Sequence, residues 1–319
     1  MLAAVDVLTP LLRSPVTGGA LRAVGGQYVD DAAHPPVTFP CIDGKPVLID
    51  FSRSIFREQD MMSAAAASEV PRTAWSGWVA PLKRMVSPPK GITRDMVARL
   101  IGMLATAETR PLVLVIGGGT VGQGMEDLYA HPAIQVAALD VYATPLVQVI
   151  ADAHQVPFAD GSFDAVIAQA VLEHVLEPHL VVEEIHRVLK PNALVFAETP
   201  FLQHVHEGAY DFTRFTESGH RYLFKNFELI ASGVSGGPGT QLLWSIDNFA
   251  RGLFRSRRAG KITKLLFSWL RFFDDLIPAS YASDAASGFY FLGRRSEQPM
   301  KAHEIVSFYP GAQGARADR

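Results

Sequence analysis

The chain has a single cysteine, Cys41, among 319 residues. One thiol excludes an intrachain disulfide framework and a cysteine-rich zinc site, and a reducing, cytoplasmic setting is expected. No run of about 18–20 uncharged apolar residues occurs, so no membrane span is expected. Met1–Pro10 carries no basic segment ahead of a long hydrophobic core and does not read as a secretory signal. Charge of one sign is scarce too. With 29 Lys and Arg against 32 Asp and Glu the formal net charge is −3, so no global basic field draws nucleic acid, which is not expected as a partner. What remains is a globular composition, long enough for one large domain and a smaller one. Nothing in it reports an oligomeric state.

Set against these absences is one dense motif. Residues 113–122 read Val-Leu-Val-Ile-Gly-Gly-Gly-Thr-Val-Gly, and Asp140 ends the next apolar run. A buried strand entering a glycine-rich turn lets backbone approach a ligand closely at a strand's carboxyl end, and an acid further on can accept from ribose hydroxyls. Gly117, Gly119 and Gly122 satisfy G-x-G-x-x-G, which points to NAD or FAD. The looser glycine spacing of S-adenosylmethionine enzymes fits equally through Gly117 and Gly119. A plain structural turn is the third reading. The glycines alone do not choose.

Residues 1–55 read as a small β-rich unit punctuated by Gly18-Gly19, Gly25-Gly26 and Asp43-Gly44, and 56–90 as a connector with some helix. From 91 to 295 helix and strand alternate. Thr93 is expected to cap a helix over 94–107, and a second helix to start near Gly122. Strands are expected at 112–116, 134–139, 147–151, 163–168, 193–198, 228–232 and 288–293, a seven-stranded, Rossmann-like doubly wound sheet. Residues 296–319 read as a loose polar tail.

The stretch after Asp152 decides between cofactors. It reads Asp152-Ala153-His154-Gln155-Val156-Pro157-Phe158-Ala159-Asp160-Gly161-Ser162-Phe163-Asp164, then Leu172-Glu173-His174-Val175, then Arg187-Val188-Leu189-Lys190-Pro191. This resembles the type 11 group of class I S-adenosylmethionine-dependent methyltransferases over residues 112–232. The resemblance implies the following roles. Gly117 and Gly119 lie beside the methionine part of the cofactor. Asp140 accepts from ribose, with Val141 by the adenine. Asp152 and Ala153 meet the adenine amine, and Gln169 and Ala170 border the sulfonium. One departure stands out: the acid that the group carries two residues before the first glycine is Val115 here.

The resemblance implies methyl transfer to a small-molecule or carrier-linked acceptor, in glycan or natural-product chemistry. An NAD-dependent oxidoreductase and a non-catalytic binding protein are the alternatives. Methyl transfer needs alignment, and a base only where the nucleophile loses a proton. Base candidates are His206 and His204, in the loop after the fifth strand, and His174, after the fourth. Asp211 and Arg214 are expected to pair, and Thr216 to cap a helix. His204, His206 and Glu207 could also suggest a metal site, but no organised ligand set stands elsewhere, so no metal is expected.

Residues 11–21 and 39–48 resemble a Trm112-like zinc ribbon with Ser14 and Thr17 at the first two ligand positions, hence a fold without metal. Ile262–Ile277 carries an apolar stripe behind Arg255, Arg257, Arg258 and Lys261. It is read as a lid helix inserted near 241–280, with Trp244 and Phe249 joining the wall of the acceptor pocket. An interfacial membrane helix is the second reading.

Overall fold

A computed structural model describes residues 1–63, 91–105 and 109–314. Most of the expected connector, with Ala64–Ala67, Trp75, Trp78 and Pro88-Pro89, lies outside the described residues, as does the expected end of the 94–107 helix. In chain order the elements are α1 (Val5–Leu8), β1 (Arg22–Val24), β2 (Gln27–Asp30), β3 (Val37–Phe39), β4 (Cys41–Ile42), β5 (Lys45–Leu48), α2 (Glu58–Ser63) and α3 (Gly91–Leu104). Then come β6 (Leu112–Ile116), α4 (Glu126–Ala130), β7 (Gln135–Asp140), β8 (Val149–Ala151), β9 (Phe163–Gln169), α5 (Pro178–Val188), β10 (Leu189–Pro200) and α6 (Glu217–Leu223). The chain continues through β11 (Phe227–Gly236), α7 (Pro238–Phe254), α8 (Arg257–Leu266), α9 (Ala279–Ala285), β12 (Gly288–Arg295) and α10 (Glu304–Phe308).

The apolar runs are continuous because both faces of the sheet are covered. Side chains alternate across a strand, so Leu114, Ile116, Ala137, Leu139, Val166 and Ala168 pack with Val181, Ile185 and Val188 of α5. Their neighbours Val113, Val115, Val136, Ala138, Ala165 and Ile167 pack with Val97 and Leu100 of α3 on the other face. The sheet order is β11-β12-β10-β9-β6-β7-β8-β5-β4, parallel from β10 through β5 and antiparallel at β12 and β11 on one edge and β4 on the other.

Nine strands replace the expected seven. The two extra belong to the amino-terminal unit: β5 pairs in parallel with β8, Val47 opposite Ile150 and Leu48 opposite Ala151. A three-residue edge strand leaves backbone groups unpaired, and β5 satisfies them. In the same unit the Thr17 hydroxyl donates to the buried Asp30 at 2.7 Å, and the Ala32 amide adds a bond of 3.0 Å. Burial opposes charge on Asp30, but the bonds from Ser14, Thr17 and the backbone prevail and hold it below the usual carboxylate range.

Other expectations shift. Thr93 lies inside α3 and its hydroxyl donates to Glu198, so it is no cap. The helix expected from Gly122 begins at Glu126. Residues after Ser296 dock in part: the Met300 amide donates to the Lys225 carbonyl at 2.8 Å, and Tyr309 donates to Asp284. The stripe over 262–277 is split between α8 and a 3₁₀ segment at Ser268–Asp275, where three residues per turn align Trp269 with Phe272 and Phe273 with Leu276. Thr216 does cap α6, accepting from the Gly219 amide at 3.1 Å.

On α6, His220 is buried against Phe215, Phe224 and Phe291, and its Nε2 makes no hydrogen bond among the described residues. Burial pushes its pKa from 6.5 down to about 3. The unfolded chain therefore binds the extra proton first, and folding stability falls as pH drops below the unfolded value and on toward the native one. The slope contributed is at most about 1.4 kcal/mol per pH unit. Replacing His220 with Phe should flatten the decline of thermal midpoint between pH 6.5 and 4; an unchanged profile in a calorimetric series would refute this.

Candidate active site

Parallel strands β6, β7, β8 and β9 end on the same side of the sheet, and a cavity of about 740 Å³ opens over those ends. That volume suits a nucleoside-sized ligand with a small second molecule. Gly117, Asp140, Val141, Asp152, Ala153, Gln169, Ala170, His174 and His206 all line it. His204 does not; it is exposed, and its carbonyl accepts from Arg214 at 3.3 Å, so it is dropped as a candidate base. Gly119 is behind the wall, joined to it through Asp140.

The turn after β6 requires its glycines. Gly117 has φ +70°, and a Cβ there would sit 2.5 Å from a Val171 methyl. A Cβ on Gly122 would strike the Gln169 amide oxygen. Asp140 clamps the turn: its carboxylate accepts from the Gly119 amide at 2.8 Å and the Tyr142 amide at 3.2 Å. Ala170 holds φ +54° just past β9, a left-handed conformation that costs on the order of 1 kcal/mol outside glycine and is common at functional sites.

Asp152 is buried in the next strand end. Its oxygens accept from the Ser54 hydroxyl at 2.5 Å and the His154 amide at 3.0 Å, with His154 Nδ1 at 2.6 Å. Burial works against its charge, but the bonds from His154 and Ser54 outweigh it and hold the carboxyl below its usual range. Ser54 comes from the amino-terminal unit, as does Ile55 of the cavity wall, and Phe56 opens the connector; Phe56 stacks on Tyr210 at 6.0 Å between ring centroids. These long-range contacts had no signal in the sequence. Glu198, at the end of β10, also lines the cavity and accepts from Gln169 Nε2 at 2.9 Å. Val115 lines it too, with no carboxylate in its place.

At the other end of the cavity two imidazoles meet. His174 Nδ1 lies 2.7 Å from the Tyr210 carbonyl, which can only accept, so Nδ1 carries the hydrogen and Nε2 presents a lone pair. Burial pushes His174 below its usual pKa, with the Tyr210 bond opposing. His206 Nδ1 faces two acceptors at 3.3 Å, Asp211 Oδ2 and the His204 carbonyl. In the neutral ring that arrangement puts the hydrogen on Nδ1 and the lone pair on Nε2. Asp211 is fixed by Arg214, with one contact at 3.0 Å, and by the His206 amide at 2.8 Å. Burial would raise its pKa, yet the Arg214 bond and the amide bring it down to about 2. Glu173 Oε1 faces both Nε2 atoms, at 3.7 Å from His174 and 4.0 Å from His206. No metal is expected from the sequence, His204 and Glu207 included; the fold gathers one donor atom each from Glu173, His174 and His206 within 4.8 Å of one another.

The geometry also weighs on the dinucleotide reading. That fold seats a pyrophosphate on a helix N-terminus directly after the glycines. Here the helix waits until Glu126, is five residues long, and opens with Glu126 and Asp127. Two carboxylates at that terminus would repel a pyrophosphate.

A methyltransferase-domain family model matches residues 114–197, from β6 into β10. The chain is 33% identical over 174 residues to a demethylmenaquinone methyltransferase of Renibacterium salmoninarum, covering 48% of this chain and 68% of the relative. The chain belongs to the S-adenosylmethionine-dependent methyltransferases. A second demethylmenaquinone methyltransferase, from Paenarthrobacter aurescens, is 34% identical over 125 residues, which are 33% of this methyltransferase and 49% of the relative. Among solved structures, phosphoethanolamine N-methyltransferase 2 of Haemonchus contortus with bound S-adenosylmethionine superimposes at a TM-score of 0.42, with 16% identity over 64% of this chain and 53% of that one. The methyltransferase uses S-adenosylmethionine, and the oxidoreductase reading is set aside. No helix among the described residues is long and apolar enough to cross a membrane.

Proposed function

We propose that the methyltransferase transfers a methyl group to a small, ring-hydroxylated acceptor held between the histidine pair and the aromatic wall. The observation that carries this reading is that Asp140, tied to the glycine turn through Gly119, and Asp152, on the adjacent strand end, open into the same cavity as His174 and His206. The residues fit the cofactor by their chemistry. Gly117 and Gly119 leave the turn bare, and Asp140 offers a buried acceptor for hydroxyls. Val141, Asp152 and Ala153 surround the purine end, and Gln169 and Ala170 stand at the sulfonium end. When bound, S-adenosylmethionine supplies an electrophilic methyl group.

The protein's own part is alignment, exclusion of water and custody of a proton. Phe56, Tyr210 and Trp244 supply aromatic surface for a flat acceptor and shed water from it. His206 takes the proton of the acceptor hydroxyl on Nε2. Asp211 holds the required tautomer through Nδ1 and stabilises the imidazolium that results. A ring acceptor accords with the names of the two curated relatives. The acid missing at Val115 is not replaced within the turn; Glu198 is the buried carboxylate nearest in role, on a neighbouring strand end. We read residues 1–55 as a Trm112-like fold without metal, with Ser14 and Thr17 at the first two ligand positions and Thr17 bonded to Asp30, and residues 91–295 as the catalytic domain.

A second reading rests on the Glu173, His174 and His206 donors: a divalent first-row cation shared by all three, binding the acceptor oxygen. Calorimetry with S-adenosylhomocysteine, S-adenosylmethionine and NAD tests the first reading. The two sulfur compounds should bind and NAD should not; binding of NAD alone would end it. Cobalt titration of chelator-washed protein tests the second. Ligand-field bands that vanish in Glu173→Gln would favour a cation, and a silent spectrum leaves His206 as the base.

A further inference from the structure

The insertion between β11 and β12 turns its large apolar side chains outward instead of folding them over the cavity. Only Trp244 lines the pocket; Phe249, expected beside it, is 70% exposed. Leu253 and Phe254 of α7 and Ile262, Leu265 and Leu266 of α8 are exposed as well. In the 3₁₀ segment no side chain is buried, with Phe272 65% exposed and Leu276, just after it, 74%. A single apolar residue on a surface is ordinary, but a contiguous group of this size marks an interaction face.

The charges that lead into this face are of one sign. Residues 255–264 contain Arg255, Arg257, Arg258, Lys261 and Lys264 and no acid, in a chain whose net charge is −3. Arg258, Ile262 and Leu265 recur at helical spacing on α8, so cations border the apolar strip. Three of the insertion's four acids are held by partners within the protein, Asp284 by the Tyr309 hydroxyl and the Ala312 amide. Asp247 pairs with Arg251 at 2.6 Å, and Asp274 accepts from the Gly239 amide at 2.6 Å and the Thr240 hydroxyl at 2.6 Å. Asp275 is the exposed exception. Arg255 ends α7 in the left-handed conformation, φ 48°, where glycine is the usual residue, and so keeps a cation at the corner despite the strain.

We propose that this face docks on an anionic lipid bilayer. Aromatic and branched side chains backed by arginine and lysine suit the boundary between headgroups and acyl chains, with the cations meeting lipid phosphate. A protein partner or a second copy would be served by the apolar area alone and gives no reason for the three exposed arginines, Arg255, Arg257 and Arg258, on its border. Docking does not depend on the cofactor assignment. Its consequence does: Trp244 projects from the same helix into the cavity, so a bilayer-borne acceptor would reach the histidine pair without crossing water.

The test is co-sedimentation of the full chain with phosphatidylcholine vesicles lacking or containing phosphatidylglycerol. Binding should require the anionic lipid, weaken with salt, and fall at least about tenfold in an Arg257→Glu, Arg258→Glu variant. A Leu266→Ser, Phe272→Ser, Leu276→Ser variant should lose binding while keeping its affinity for S-adenosylhomocysteine, which shows that it is folded. Equal binding to neutral vesicles, no binding to either, or a stable dimer in the ultracentrifuge that the triple variant dissolves would each overturn the proposal. Loss of cofactor binding in the unaltered protein would count against the proposed function and leave docking intact.

Discussion

Asp140→Ala protein should bind S-adenosylhomocysteine at least about a hundredfold more weakly than the unaltered protein. Hydrogen bonds to a charged acceptor contribute about 1.5–3 kcal/mol each, and two ribose hydroxyls would lose theirs together. The loss compounds through the turn, because the Gly119 amide is held 2.8 Å from the same carboxylate and would be released with it. Asp140→Asn keeps an acceptor oxygen without the charge and should fall between, about tenfold weaker. Asp140 ends a fully paired strand, so circular dichroism should show both variants folded. Titration calorimetry reads the affinities directly. Undiminished affinity in the alanine variant would show that the cofactor lies elsewhere and would remove the basis for every site assignment made here.

His206→Ala should lower kcat for a ring-hydroxylated acceptor by about 10² to 10⁴, the span that a positioned base contributes, with cofactor affinity unchanged. His204→Ala is the matched control: two residues away, exposed and outside the cavity, it should stay within about twofold of the unaltered rate. Asp211→Asn should lower kcat as well. Its amide can turn an N–H toward Nδ1, which reverses the tautomer and takes the lone pair off Nε2. It also leaves Arg214 without its carboxylate, so the thermal midpoint should drop at the same time. Rapid-quench measurement with labelled cofactor separates the methyl-transfer step from binding. If His204→Ala and His206→Ala slow it equally, the histidine pair is structural.

The strands around the cavity were legible because burial on both faces leaves a continuous apolar run, and residues 112–116 are the clearest case: the strand expected there and the strand found coincide. Asp140 and Asp152 were legible because they follow such runs directly. Thr93 misled because a threonine near a helix start has two uses, and the buried Glu198 claimed it. His204 misled because two histidines two apart look alike in a loop, and only the folded loop shows that His206 lines the cavity and His204 does not. Glu173 was read as part of a spacing pattern, and its approach to His206 depends on how the loop after β10 folds back. The joining of β5 to β8 was illegible for a simpler reason: nothing in four residues announces which distant edge they will pair with.

The hydroxyl of Ser54 reaches Asp152 across 98 positions of sequence, and β5 seals the strand that carries that carboxylate. The Asp152 end of the pocket is thus a seam between two stretches of chain, and a shortened enzyme that began at α3 would inherit the glycine turn but a gaping floor. Trimming the leading segment should therefore cost nucleoside affinity before it costs solubility, and engineers seeking a minimal catalyst should cut from the other terminus.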